Sequence, residues 1–171
     1  MDALTSNGGQ PPLTMEEISH LLDGEGKPED TLANIVTLVG NRLESDVCSV
    51  YLYEPEGPSL VLAATVGLKQ DCIGRLRMRL DEGLAGLVAE QLRPVAVEDA
   101  DTHPRFKYFP EAGEDAYESF LGVPLIEGGA LQGVLVLQTI EARQFSTGQI
   151  RRLVDAAGQL GAVVSQVRRW G

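Results

Sequence analysis

Apolar and polar residues alternate with a period of two along much of the middle of the chain. The alternation runs through residues 47–53, 60–66 and 75–80, and a further short strand is expected at 94–97. This is the pattern of β-strands that bury one face. The first two strands are joined by a turn rich in Pro and Gly, so they should form an antiparallel hairpin.

Two longer apolar segments, residues 119–126 and 131–139, flank the link Glu127-Gly128-Gly129-Ala130. Because glycine adopts positive φ readily, this pattern predicts a second β-hairpin. The segment 131–139 is apolar on both faces and is therefore expected to be a central strand. A loop of about twenty residues precedes the hairpin, and a loop that long in a compact domain usually covers or builds a site.

Helical patterns lie at both ends of the chain. Thr14 and Glu17 have capping-box spacing, so a short helix should begin near Met15. Pro28 suits the first turn of a second helix, and Ser146 suits the N-cap of the last. The last helix carries the clearest stripe in the chain. Its members fall on the a and d positions of a heptad and are Ile150, Leu153, Ala157, Leu160, Val164 and Val167.

This stripe has two interpretations. It can pack on the sheet of its own chain, where small neighbours such as Gly158 and Gly161 would allow a close approach. It can also form a seam between two copies, and both roles are compatible because the stripe and the small residues occupy partly different faces. We expect a homodimer with the six stripe residues at its interface, since two-fold symmetry is the commonest closure for identical subunits.

The order of the elements indicates the fold class. Strands are grouped together, helices precede and follow them, and no strand-helix-strand alternation is visible, so an α+β domain on an antiparallel sheet is expected. The chain of 171 residues suits one domain. We expect a disordered tail at 1–12, which is polar and rich in Gly and Pro, and a single domain at 13–171.

Charge and composition exclude several classes of partner. The chain has 14 Lys and Arg residues against 25 Asp and Glu, a net charge of −11, whereas nucleic-acid-binding proteins need a positive surface. Neither a secretory signal nor an apolar run of about 18 residues is visible. Cys48 and Cys72 lack metal-ligand spacing. We expect a cytoplasmic protein without nucleic-acid, membrane, metal or cofactor partners.

The sequence shows no recognisable catalytic constellation. Its two histidines are His20 and His103, with no dependable Ser-His-Asp spacing and no Gly-rich phosphate-binding loop. We therefore expect that the chain is not an enzyme.

Three arginines, at 75, 77 and 79, share one face of the predicted third strand. They suit a solvated edge strand, where charge discourages strand addition; the alternative is a wall that faces an anion. The motif Glu82-Gly83-Leu84-Ala85-Gly86 next to them starts a helix, and free N–H groups at a helix start favour anions. Glu82 can also pair with an arginine and cap its own helix, which would leave no room for an anion.

Four motifs follow one another along the chain: CSVYLY at 48–53, EGLAGLVAE at 82–90, HPRF at 103–106 and SFLGVPL at 119–125. In this order they resemble the GAF domain family, and within it the subfamily at the amino terminus of the nitrogen-branch phosphoenolpyruvate-protein phosphotransferase. The resemblance implies about six antiparallel strands with the terminal helices on one face. It also implies a ligand cavity on the other face, under the helix after strand three and the long loop.

The function implied by this resemblance is sensory. The resemblance implies that the domain binds a small, acidic metabolite that reports nitrogen or carbon status, with glutamine and 2-oxoglutarate as candidates. It also implies that the domain controls a downstream phosphotransferase or other signalling domain. The catalytic phosphotransferase domains would lie outside this chain, which ends directly after the helical stripe as a piece cut from a longer protein would.

Two other functions stay open. The domain can be a structural dimerisation module without a ligand. It can also be a thiol-dependent reductase of free methionine sulfoxide, as some GAF proteins are, although this chain has Ala85 at the helix start and no Cys in the loop at 98–117.

The predicted ligand site rests on the long loop and its surroundings. In one interpretation, Pro104 restricts the backbone of His103, Phe106 plugs a gap and Arg105 bonds to loop groups, so that HPRF locks the loop. In the other, charged and hydroxyl groups surround an acidic metabolite. Those predicted ligand residues are Arg77, Glu82, His103, Arg105, Tyr117 and Ser119.

Overall fold

The computed structural model describes residues 13–23, 26–107 and 117–170, so the tail expected at 1–12 lies outside the described residues. The helices are α1 (Met15–Leu22), α2 (Pro28–Arg42), α3 (Gly83–Gln91) and α4 (Thr147–Trp170). The strands are β1 (Val47–Glu54), β2 (Ser59–Val66), β3 (Arg77–Arg79), β4 (Val95–Val97), β5 (Ser119–Glu127) and β6 (Ala130–Thr139).

The strands form one antiparallel sheet of six in the order β3-β2-β1-β6-β5-β4. β6 lies in its middle, paired with β1 on one side and β5 on the other. Residues 134–137 of β6 are buried, as expected for a strand that is apolar on both faces. The short strands β3 and β4 form the two edges, which limits the length of exposed backbone open to strand addition.

The two faces of the sheet bury two separate apolar cores. On one face, strand residues such as Val50, Leu125 and Leu135 pack with the terminal helices α1, α2 and α4, and we call this the helix-side core. On the other face, residues such as Val134 and Phe120 pack with α3, and we call this the cavity-side core. This arrangement confirms the predicted α+β fold, with the terminal helices on one face and a covering helix and loop on the other.

The caps at the helix starts follow the sequence signals. Thr14 and Glu17 form a capping box at the start of α1. At the start of α4, Ser146 Oγ accepts the amide of Gln149 at 3.1 Å, and Gln149 Oε1 accepts the amide of Ser146 at 2.9 Å. Both helix starts are therefore set by local side chains.

The stripe of α4 lies inside its own chain, which corrects the predicted dimer interface. Leu153, Ala157, Leu160, Val164 and Val167 are buried in the helix-side core, and Ile150 packs against it. The five buried side chains have no surface left for a second copy, whereas Ile150 is only partly buried. The reason is a close approach between α4 and β5: a Cβ added at Gly161 would lie 2.5 Å from the carbonyl oxygen of Ile126.

Glycines also seat α3 on the opposite face. A Cβ added at Gly86 would lie 2.8 Å from the carbonyl oxygen of Leu80, and one added at Gly122 in β5 would lie 2.8 Å from Cγ2 of Val88. Glycine at both positions lets α3 approach the sheet and the end of β3.

Within the described ranges, no helix combines the length and the apolarity that a membrane crossing needs.

Candidate functional site

A cavity of about 40 Å³ lies between α3 and the sheet, and we call it the α3 cavity. Its apolar wall comes from α3, the sheet and the loop after β4. The apolar side chains are Met78, Leu84, Ala85, Ala100, Phe106, Phe120 and Val136. Four polar side chains complete the wall, and they are Tyr51, Lys107, Tyr117 and Gln138.

Strand register brings the polar groups of the sheet to this face. Tyr51 of β1 is paired with Val134 of β6, and both belong to the cavity-side core. Gln138 near the end of β6 is paired with Phe120 of β5, which also lines the cavity. The side-chain period of two therefore directs these residues toward α3 rather than toward the terminal helices.

The amino terminus of α3 forms one edge of the cavity. Leu84 and Ala85 of its first turn line the wall, and no side chain caps the helix start. The carboxylate of the N-cap residue Glu82 turns back instead, accepting the Arg79 amide at 2.8 Å and Lys107 Nζ at 2.7 Å. The hydrogen bond from Lys107, followed by that from Arg79, lowers the pKa of Glu82. Glu82 thus holds Lys107 at the rim rather than lining the cavity itself.

The HPRF segment joins the loop to α3. The ring Nδ1 of His103 accepts the backbone amide of Arg105 at 3.0 Å, which closes a tight turn. Arg105 Nη1 donates to Glu90 Oε1 at 2.8 Å, and Nη2 donates to the carbonyl oxygen of Leu80 at 2.6 Å. These bonds match the loop-locking interpretation. The structure does not bring His103 and Arg105 to the α3 cavity, because both hold the loop and neither is among the lining residues.

Arg77 lies on the wrong side of its strand for the predicted site. The neighbouring Met78 is buried and lines the cavity, whereas Arg77 is exposed and forms an ion pair with Glu54. Successive side chains of a strand point to opposite faces, so Arg77 does not converge with the loop. The interpretation as a solvated edge strand describes this residue.

The two predicted hydroxyl donors differ. Tyr117 lines the α3 cavity. Ser119 is buried at the start of β5, and its hydroxyl donates to the Glu98 carbonyl at 2.8 Å and accepts the Arg143 amide at 2.6 Å. The geometry assigns Ser119 to a connection between segments and not to the cavity wall.

Sequence reasoning missed three polar residues of the wall: Tyr51, Lys107 and Gln138. Tyr51 and Gln138 had a usable signal, because a polar side chain in phase with the buried face of a central strand is unusual. Lys107 directly follows HPRF, but no periodicity in the loop indicates which way its side chain points.

The two thiols lie away from the position where a reductase site would be expected. Cys48 packs in the helix-side core, and burial raises the pKa of its thiol above the usual range, which keeps it protonated. Cys72 is buried in the cavity-side core but is not among the described residues that line the cavity. This placement disfavours a thiol mechanism in the α3 cavity.

One group of carboxylates has a spacing suited to a metal ion. Side-chain oxygens of Asp99, Asp101 and Glu118 lie within 4.8 Å of one another, and the two aspartates are exposed. Exposed acidic side chains commonly lie this close without a metal, so we assign no ion to this group.

A profile of the GAF domain family matches residues 26–165. The chain belongs to the GAF family. It is 36% identical over 152 residues to a protein of the phosphoenolpyruvate-dependent phosphotransferase system of Escherichia coli, covering 89% of this chain and 20% of that protein. It is 26% identical to a Nif-specific regulatory protein of Azorhizobium caulinodans, covering 96% of this chain and 28% of that protein. The chain thus spans between a fifth and a third of the length of these relatives.

Solved structures agree with this GAF assignment. The GAF domain of a phosphoenolpyruvate-protein phosphotransferase from Coxiella burnetii superposes with a TM-score of 0.85 at 35% identity, covering 91% of this chain and 93% of that one. A free methionine-R-sulfoxide reductase from Neisseria meningitidis has a TM-score of 0.75 at 24% identity, covering 90% and 87% of the two chains. The second likeness establishes a shared fold alone.

Proposed function

We propose that this GAF domain is a non-catalytic sensory module that binds a small acidic metabolite in the α3 cavity. The observation that carries the proposal is the composition of the cavity wall. A mostly apolar pocket with a few convergent polar groups is the usual make-up of a small-molecule site. Here the polar residues Tyr51, Tyr117, Gln138 and Lys107 line a cavity whose other lining residues are apolar.

Charge supports an anionic group on the ligand. Lys107 brings a positive charge to the rim, and the amino terminus of α3 adds the positive end of a helix dipole. In this structure the Lys107 ammonium group donates to the Glu82 carboxylate. A ligand carboxylate would therefore have to displace Glu82 from Lys107. The acidic ligand is thus met by Lys107 rather than by the arginines expected from the sequence.

The size of the cavity favours a compact ligand. Its volume of about 40 Å³ is far below the roughly 300–1,000 Å³ of pockets for drug-sized molecules, so the wall must widen even for an amino acid or a keto acid. Glutamine and 2-oxoglutarate, the candidates implied by the family resemblance, are of this small class.

Control of another domain is the proposed output. In the E. coli relative the matched region is 20% of the protein, and in the Nif-specific regulatory protein it is 28%, so most of each relative lies outside the domain. A domain that recurs beside different partners is well suited to regulate them. We infer that ligand occupancy here acts on a downstream phosphotransferase or another signalling domain.

Thermal unfolding with glutamine or 2-oxoglutarate tests the proposal. A ligand at 100 times its dissociation constant stabilises the protein by about 2.7 kcal/mol, which would raise the Tm by roughly 5–10 °C in a chain of this size. Ala85→Leu, which fills the cavity, and Lys107→Gln, which removes the charge, should abolish that rise.

Lys27→Gln is the matched control, because Lys27 is an exposed residue at the start of α2, on the other face of the sheet. It should retain the full shift. A parent protein whose Tm does not move with either metabolite, or an Ala85→Leu variant that responds like the parent, would contradict binding in the α3 cavity and would favour a purely structural dimerisation module.

A further inference from the structure

A buried hydroxyl at the start of β5 connects segments that belong to opposite faces of the sheet. Ser119 Oγ donates to the carbonyl oxygen of Glu98 at 2.8 Å and accepts the amide of Arg143 at 2.6 Å. Glu98 directly follows β4, at the start of the loop that leads to β5, and Arg143 lies in the segment between β6 and α4. The Ser119 hydroxyl therefore holds both segments, one as a donor and the other as an acceptor.

Arg143 extends the connection to α2. Its Nη1 donates to the carbonyl oxygen of Leu43 at 2.7 Å, and its Nη2 donates to that of Glu44 at 2.6 Å, directly after the last turn of the helix. A cation at the carboxyl end of a helix interacts favourably with the helix dipole and satisfies carbonyl groups that lack a helical partner. Three residues further on, Ser146 caps α4.

The same region contacts the α3 cavity. Tyr117, two residues before Ser119, lines the cavity, and so does Ala100. The amide of Ala100 donates to the carbonyl oxygen of Glu118 at 2.6 Å, beside the bond between Ser119 and Glu98. A displacement of the cavity wall at these residues therefore acts directly on the backbone that holds Ser119.

We propose that Ser119 and Arg143 are positioning residues that couple the state of the α3 cavity to the end of α2 and the start of α4. This inference deepens the proposed sensory function and rests on it, since a sensor needs a physical route from the ligand face to the helices on the other face. Discrete hydrogen bonds suit that task because they are either made or broken, and breaking a buried one leaves a polar group unpaired.

A mutational cycle tests the coupling without any ligand. Ala85→Leu perturbs the cavity wall from within, and amide exchange measured by NMR on the full chain reports on three amides of the helix side, those of Leu43, Ser45 and Ile150. In the parent we expect Ala85→Leu to change their exchange rates on the order of fivefold, the lower end of typical coupling between sites. In a Ser119→Ala or Arg143→Lys background the same substitution should add no further change.

Ser49→Ala is the matched control. Ser49 is also a buried serine of the sheet, bonded to Thr65 Oγ1 at 2.8 Å, but it is not part of this connection. A merely structural role for Ser119 would raise the exchange rates in Ser119→Ala and still let Ala85→Leu add its full effect, as in the Ser49→Ala background.

Two results would overturn the proposal: an effect of Ala85→Leu that is equal in all backgrounds, or no effect on the three amides in the parent. Arg143→Lys keeps the charge but loses the two guanidinium hydrogen bonds to Leu43 and Glu44. It can replace Ser119→Ala in the cycle if that variant does not fold. Absence of metabolite binding would overturn the proposed sensory function. It would not change the result of this mutational cycle, which uses no ligand.

Discussion

Arg105 joins the loop to α3 and to the segment before α3. Its backbone belongs to the loop, one nitrogen bonds to Glu90 of α3, and another bonds to the carbonyl oxygen of Leu80 before that helix. A fork of this kind fixes direction as well as distance, which a lysine ammonium cannot reproduce. Arg105 therefore acts on the cavity through the position of the loop.

We predict that Arg105→Lys lowers the free energy of unfolding by about 1.5–3 kcal/mol, the usual range for hydrogen bonds that involve a charged group. Urea unfolding measures the loss. Arg93→Lys is the control, since Arg93 bonds to Gln91 at an exposed position and should change little. An unchanged stability of Arg105→Lys combined with lost metabolite binding would instead support direct contact of Arg105 with the ligand.

The ion pair between α1 and α2 should make the stability of the fold depend on pH. Glu17 of α1 accepts hydrogen bonds from Arg42 of α2 at 2.6 Å and 2.5 Å, and the bond from Arg42 is the main reason that the pKa of Glu17 falls below its usual 4.5. A carboxyl group with a lowered folded-state pKa stabilises the fold above its unfolded pKa, and this contribution is lost as the pH falls through the folded value.

Glu17→Gln should therefore be less stable than the parent at pH 7, by no more than about 1 kcal/mol because the pair is partly exposed. The gap should close as the pH is lowered below about 4.5, the usual pKa of the group. Chemical unfolding across this range provides the measurement, with the exposed Glu16→Gln as the charge-matched control. A gap that stays constant with pH would show that the ion pair does not supply the difference.

At the scale of elements, two glycines of α4 offer a matched pair. Gly161 faces β5, where an added Cβ would meet the carbonyl oxygen of Ile126 at 2.5 Å, whereas a Cβ at Gly158 would have nothing within 4 Å. We predict that Gly161→Ala destabilises the fold by about 1–3 kcal/mol through overpacking. Gly158→Ala should stabilise it by about 0.5–1 kcal/mol through helix propensity.

Thermal or urea unfolding of the two variants gives the comparison directly. Equal effects of the two alanines would mean that α4 does not approach β5 as closely as the structure shows. The same result would reopen the role of α4 as a helix that packs mainly outside its own chain.

The elements themselves were largely predictable, and the site was predictable only in part. The alternation in β1 and β2, the two-faced apolarity of β6 and the caps at Thr14 and Ser146 are local signals, and they located strands and helix starts correctly. The direction of a loop side chain depends on distant partners such as Glu90 for Arg105, which no local pattern encodes. The stripe of α4 likewise has the same spacing whether it covers the sheet or a second copy.

A homodimer stays our prediction for the whole molecule, but its interface must differ from the predicted stripe. The exposed side of α4 carries Val154, Gly158 and Ala162, of which Val154 is 41% exposed. None of the residues that the structure describes covers this apolar and small-residue surface. An isologous contact of two such helices would direct downstream domains the same way.

We predict that the parent sediments as a dimer at about 100 micromolar, well above a typical obligate-dimer dissociation constant, and that Val154→Glu sediments as a folded monomer. Val164→Glu should instead unfold the chain, because Val164 is fully buried in its own core. A monomeric parent would end the dimer prediction, and a folded Val164→Glu variant would contradict the packing of α4.

Metabolite binding in the α3 cavity is tested most directly by NMR chemical-shift mapping. Titration of the ¹⁵N-labelled chain with glutamine or 2-oxoglutarate should shift amide signals around the cavity first, above all those of Ala85, Ala100, Lys107, Val136 and Gln138. A second groove lies between α1 and α2 and is lined by residues such as Glu17, Leu21 and Leu38. Shifts confined to that groove, or no shifts with either metabolite at millimolar concentration, would contradict binding in the α3 cavity.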